Sequence, residues 1–160
     1  MRRVLVTVLT LALMMGLMVS VSAVQNKNFR THLTGSQEVP ANLSGGQGQA
    51  IFRVEGLEIH FKLITANLDN ITQAHIHCGP AHDNGPVVVF LFGLAPPTAN
   101  NGILSQGTFD AGDFTPVGTR PACSDIVTID DLVAAMATGE AYVNVHTTAF
   151  PPGEIRGNLP

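Results

Sequence analysis

Leu57-Glu58-Ile59-His60-Phe61-Lys62-Leu63-Ile64 is the stretch from which the fold is best read. Apolar and polar side chains alternate along it, the period-two pattern of a half-buried β-strand. Leu57, Ile59, Phe61 and Leu63 make an inner face, and Glu58, His60 and Lys62 face solvent. Working backwards, Gly56 turns the chain from a second strand over residues 49–55, and residues 29–34 alternate as a first. Residues 35–48, rich in Gly, Ser, Pro and Asn, form a loop between those two strands.

Working forwards, residues 67–70 are a polar turn and residues 72–78 the next strand. Residues 86–92 are apolar on both parities, which suits a strand covered on both sides. A Pro/Asn-rich loop over 93–101 precedes a strand over 102–109, and residues 111–126 form a long irregular connection. Residues 128–137 make the one convincing helix. Thr128 is its N-cap, Asp131 stands in the capping-box position, and Gly139 ends it. Strands over 141–147 and 154–159 close the chain. Short strands with turn-rich spacing and a single short helix predict an all-β fold. The expected architecture is an antiparallel Greek-key sandwich or barrel, immunoglobulin-like or superoxide-dismutase-like.

Residues 1–23 have the form of a cleavable signal peptide. Arg2 and Arg3 precede an uncharged apolar run over 4–19, and Val21-Ser22-Ala23 is a small-residue ending. The alternative, a membrane anchor, needs about 20 apolar residues, more than this run supplies. Residues 24–160 are then one exported domain, secreted or periplasmic, with no membrane span in the mature chain. Cleavage removes two arginines and no acid, so the mature chain is more acidic than the whole, which carries a net charge of −4. With no basic run, nucleic acid is not an expected partner. In an exported chain the pair Cys78 and Cys123 favours a disulfide. Cys78 as a thiolate metal ligand is the competing reading, opposed by parity because Cys78 points with Ile76.

Parity also sorts the histidines. In Ala74-His75-Ile76-His77-Cys78-Gly79-Pro80, His75 and His77 share one face and Ile76 takes the other. In Tyr142-Val143-Asn144-Val145-His146-Thr147, the valines face the core and Tyr142, Asn144 and His146 face outward. With Gln73, Glu154 and Arg156 on the same parity, the outward set is unusually rich in functional groups. If the two histidine strands are neighbours, about 4.8 Å apart, His75, His77 and His146 could share one metal ion. Imidazole suits copper and zinc. His82, five residues beyond His77, is a candidate fourth ligand, and Asn144 or Glu154 could hold a ring N–H from behind. The plainer reading is a set of half-buried histidines bonded to neighbouring backbone and carboxylates. Glu154 and Arg156 suit a salt bridge, and His32 and His60 ordinary solvent-facing positions. No Ser/His/Asp set, phosphate-cradling glycine loop or hydrolytic carboxylate pair is present, so no catalytic residue is assigned.

Several phrases occur together in order: Leu33-Thr34-Gly35-Ser36-Gln37-Glu38-Val39-Pro40, then Ala74-His75-Ile76-His77 with Gly85-Pro86-Val87-Val88. Tyr142-Val143-Asn144-Val145-His146-Thr147 and Pro152-Gly153-Glu154-Ile155-Arg156-Gly157 complete the set. Over about residues 28–159 the chain resembles the CHRD domain, the module named from chordin and also found as a lone exported domain in microbes. The resemblance implies a secreted all-β barrel without a settled activity. Chordin's antagonism of bone morphogenetic proteins does not transfer to a free-standing domain. Cys78 departs from the plainer His-Ile-His-x-Gly form and supports a local disulfide with Cys123. A looser likeness is to Cu/Zn superoxide dismutase, which also carries an H-x-H strand on a Greek-key barrel, although its further metal ligands have no counterparts here. The expected function is thus a secreted binding module with copper or zinc on the three-histidine face. The alternatives are a copper redox enzyme of dismutase type, or a metal-free domain whose histidine face binds an extracellular protein partner.

Overall fold

A computed structural model of the chain describes residues 27–160 apart from 94, 95 and 97. Residues 1–23, expected from their sequence to be a signal peptide, lie outside the described residues. Seven antiparallel strands and one helix follow in order: β1 (Asn28–Thr34), β2 (Gln47–Glu55), β3 (Glu58–Cys78), β4 (Val87–Phe92), β5 (Thr98–Phe109), α1 (Ile129–Thr138), β6 (Ala141–Thr147) and β7 (Ile155–Asn158). Among the described residues no helix is long and apolar enough to cross a membrane.

Closure comes from the length of β3. Its first half lies between β2 and β5, and its second half between β6 and β4. The order β2-β1-β7-β6-β3, together with the β2–β3 pairing, brings the sheet back onto itself as a barrel. The all-β antiparallel expectation holds, with the single helix where it was expected. The polar turn over 67–70 does not. Asn67 and Asn70 take positive φ of 57° and 52°, and the strand continues through them with shifted register. Two left-handed asparagines bend a strand as bulges do, without reversing it. Leu57 is the other correction: it sits in the β2–β3 turn, 72% exposed, and the inner face starts at Ile59. β5 also begins at Thr98, earlier than the strand expected over 102–109.

The barrel interior is filled by the inward residues of every strand, among them Leu33, Phe52, Ile59, Leu63, Ile76, Val143 and Ile155. Helix α1 lays Ile129, Leu132, Val133 and Met136 onto this core. Its start is fixed by the reciprocal Thr128/Asp131 capping box, and its end by Gly139 at φ 78°. The irregular connection is built on Arg120. This buried guanidinium donates to the carbonyls of Thr115 at 2.9 Å and Cys123 at 2.6 Å. Cys123 is thereby presented to Cys78, and the two form a disulfide across a sequence separation of 45. That bond removes Cys78 from metal ligation.

β6 and the last five residues of β3, 74–78, are buried on both faces. The inner cover is the core. The outer cover comes from three segments: the loop after β1, the loop over 79–86 and the turn over 148–153. Asn84 ties the first two together through the Val39 carbonyl at 2.6 Å. The face expected to look into solvent is therefore roofed by loops.

Reduction of the Cys78–Cys123 bond should lower the unfolding free energy by about 2–4 kcal/mol, because it closes a long loop in the unfolded chain. Urea denaturation with and without dithiothreitol measures it; superimposable curves would show that the bond does not stabilise the fold.

Candidate metal centre

Strand pairing sets the positions. β3 and β6 are antiparallel neighbours with His75 opposite Asn144, His77 opposite Tyr142 and Gln73 opposite His146. His146 is thus diagonal to His75 on the shared outer face. Three imidazoles meet there, and one ligating atom from each lies within 4.8 Å of the other two. Ring centroids of His75 and His77 are 5.3 Å apart, and those of His75 and His146 4.9 Å. All three are buried, at 2%, 8% and 6% exposure for His75, His77 and His146.

Hydrogen bonds fix two of the tautomers. His77 Nδ1 lies 2.8 Å from the Gly85 carbonyl, and His146 Nδ1 lies 2.8 Å from the Pro151 carbonyl. A carbonyl can only accept, so both Nδ1 atoms carry hydrogen and both Nε2 atoms keep a free lone pair. His75 Nδ1 faces the bare His146 Nε2 at 3.0 Å and donates to it, which leaves His75 Nε2 without hydrogen. Among the described residues, the buried side-chain polar atoms without a partner are His75 Nε2, His77 Nε2, Asn144 Oδ1 and Glu38 Oε1. Buried polar atoms are nearly always satisfied, so four orphans around one face single it out as the candidate site.

Burial holds the rings neutral. It pushes His75 down to about 3, helped by the neighbouring His146 and His77, and His77 down to about 4. His146 is lowered for the same reason. Desolvation outweighs the Arg156 charge and raises Glu38 to about 7. Neutral imidazole is the form that binds a metal.

The flanks are aromatic. The Phe90 ring stands edge-on to His75 at 4.5 Å. Tyr142 stacks on His77 at 4.8 Å, and the Arg156 guanidinium covers its other face at 3.4 Å. Arg156 is spent on this stack and on the carbonyls of Pro80 and Asp83, at 2.9 and 3.0 Å. The expected Glu154–Arg156 salt bridge is absent: Glu154 accepts from Ser44 at 2.5 Å and Thr147 at 2.6 Å. Those hydroxyls occupy both its oxygens, so Glu154 does not support a histidine ring. Asn144 does lie beside the cluster, where its side chain favours the charged forms of His75 and His77. His82 is exposed in its loop and does not join the three histidines. His32 is exposed as expected, while His60 is half-buried and pairs with Glu55 at 2.9 Å.

Sequence reasoning missed the backbone acceptors and Glu38. Gly85 can present its carbonyl only because it lacks a side chain: a Cβ there would run into the Cys78 carbonyl. Glu38 had a visible signal, being the one charge in the stretch 35–48.

These shifts have opposed signs with pH. A histidine with a lowered folded pKa binds its proton mainly in the unfolded chain, so its stabilisation is lost as pH falls below about 6.5. A carboxyl with a raised pKa does the reverse between about 4.5 and 7. Three rings outweigh one carboxyl, so metal-free protein should lose stability from pH 6.5 down to 4.5. Glu38→Gln should steepen that loss by about one proton's slope. Urea midpoints across the range test both, and a flat profile would contradict the burial of the rings.

In comparison with known proteins, the chain matches the family description CHRD domain over residues 29–159. No curated protein and no solved structure matches it. Apart from the first residue of β1, the matched span takes in all seven strands, the helix and the three histidines, and the chain belongs to the CHRD-domain family.

Proposed function

We propose that this chain is an exported binding module that holds one copper or zinc ion through His75, His77 and His146. CHRD domains are extracellular binding modules, and the signal-peptide pattern of residues 1–23 agrees with export. The observation that carries the reading is the convergence of three buried, neutral imidazoles, with His75 Nε2 and His77 Nε2 left without a protein partner among the described residues.

One ion accounts for three of the four orphans. His77 Nε2 and His146 Nε2 already offer lone pairs, held in place by the Gly85 and Pro151 carbonyls. Carbonyls behind metal-bound histidines are a common way to fix the ring. An ion between His75 Nδ1 and His146 Nε2 would move the His75 hydrogen to Nε2. Asn144 Oδ1, across the strand pair and lacking a donor, is there to accept it. Asn144 then has the supporting role that the sequence suggested for it. The metal-free protein-interaction reading leaves all these atoms unsatisfied.

The chain has one tyrosine and no tryptophan, so its ultraviolet emission reports on Tyr142, the ring stacked on His77. Copper or zinc should bind one per chain and change that emission. His77→Ala and His146→Ala should each weaken binding by about 100-fold or more, as loss of one of three ligands would. Metal analysis after dialysis reads the stoichiometry. Equal, negligible metal in wild type and both variants would remove the reading.

A further inference from the structure

We infer that the three-histidine site is a closed seat for monovalent copper that discriminates against zinc(II) and copper(II). This rests on the reading that a metal binds at these residues and names which ion they select.

Charge is the first argument. The donors are three neutral imidazoles, and among the described residues no Asp, Glu or Cys joins their cluster. Cys78, next in sequence to His77, is locked in the disulfide. Glu154 is engaged by two hydroxyls, and Arg156 brings a positive charge to the far side of Tyr142. The cost of burying an ion grows as the square of its charge, so a divalent ion costs about four times as much as a monovalent one of equal size. The donor set itself carries no negative charge, and burial raises the carboxyl of Glu38, the acid on the same face, to about 7, which works against its ionisation.

Coordination number is the second. Structural zinc sites complete four ligands, and copper(II) favours tetragonal nitrogen and oxygen sets. Copper(I), whose single charge asks for less donor density than zinc(II), is satisfied by three. Here Phe90 covers one flank and Tyr142 the other, while the segments bearing Gly85 and Pro151 roof the rings. At 2–8% exposure the histidines are not open to a bulk-water ligand. A site with no vacant position holds an ion and does not turn over a substrate on it, which separates this chain from a dismutase.

The test uses the exported protein with its disulfide intact and ascorbate as the reductant, which keeps copper monovalent and spares the disulfide. Competition with bicinchoninate gives the copper(I) affinity, and competition with a chromophoric zinc chelator gives the zinc(II) affinity. Copper(I) should bind one per chain, on the order of 100-fold more tightly than zinc(II). Asn144→Asp places a carboxylate beside the rings with little change in shape, and should narrow the ratio by about tenfold or more. Tyr142 emission and thermal melting show whether each protein is folded. Zinc(II) binding as tightly as copper(I), or a folded Asn144→Asp protein with an unchanged ratio, would overturn the selectivity. If folded wild type takes up none of copper(I), copper(II) and zinc(II), the metal site itself falls. Should Asn144→Asp not fold, the wild-type ratio alone decides.

Discussion

β6 has no face toward water. Alternation puts Val143 and Val145 into the barrel and Tyr142, Asn144 and His146 against the loops, so each polar group on that outer face must find its partner inside the protein. Tyr142 takes the Gly85 N–H at 3.0 Å, and His146 gives its Nδ1–H to Pro151. Neighbouring His77 gives its own to Gly85. The roof loops are thus held by the groups they cover. A partner-rich face that still leaves four buried atoms unsatisfied is what sets the three histidines apart from the rest of the barrel.

The same face shows how a small acidic domain can bury an arginine without a salt bridge. Arg156 lies under the 79–86 loop, donates to carbonyls there, and spreads its guanidinium over an aromatic ring. A ring face and backbone oxygens together supply the negative potential that a carboxylate would otherwise give. Glu38 contributes to that potential only when ionised, and its burial works against ionisation. The histidines therefore sit in a pocket of low net charge.

Much of this was legible in the sequence because strand parity is strict. Alternation in residues 59–64 and 141–147 tells which side chains share a face, Leu57 being the exception because it falls in the turn, and the two histidine strands are indeed neighbours. The helix was legible because Thr128, Asp131 and Gly139 each supply a specific terminal hydrogen bond or dihedral. What parity cannot report is whether a face is wet. The three segments that roof the histidines are Gly- and Pro-rich loops, and their positions depend on contacts distant in sequence, such as Asn84 with Val39 and Asn42 with the Glu154 carbonyl at 3.0 Å. For the same reason the histidines' supporting acceptors proved to be backbone carbonyls, which carry no residue signature. Asn67 and Asn70 misled in the other direction, since asparagine favours turns and left-handed bulges alike.

The position of β7 bears on when this protein can fold. Its four residues fill the gap between β1, the first strand, and β6, almost at the end of the chain. The approach is close: a side chain on Gly157 would collide with the His32 carbonyl. A chain emerging from its N-terminus first cannot complete the ring of strands until β7 has arrived. Until then β1 has a free edge and the barrel stays open. Closure of the barrel is therefore a late event in the order of the chain, because the strand that closes it is the last to emerge.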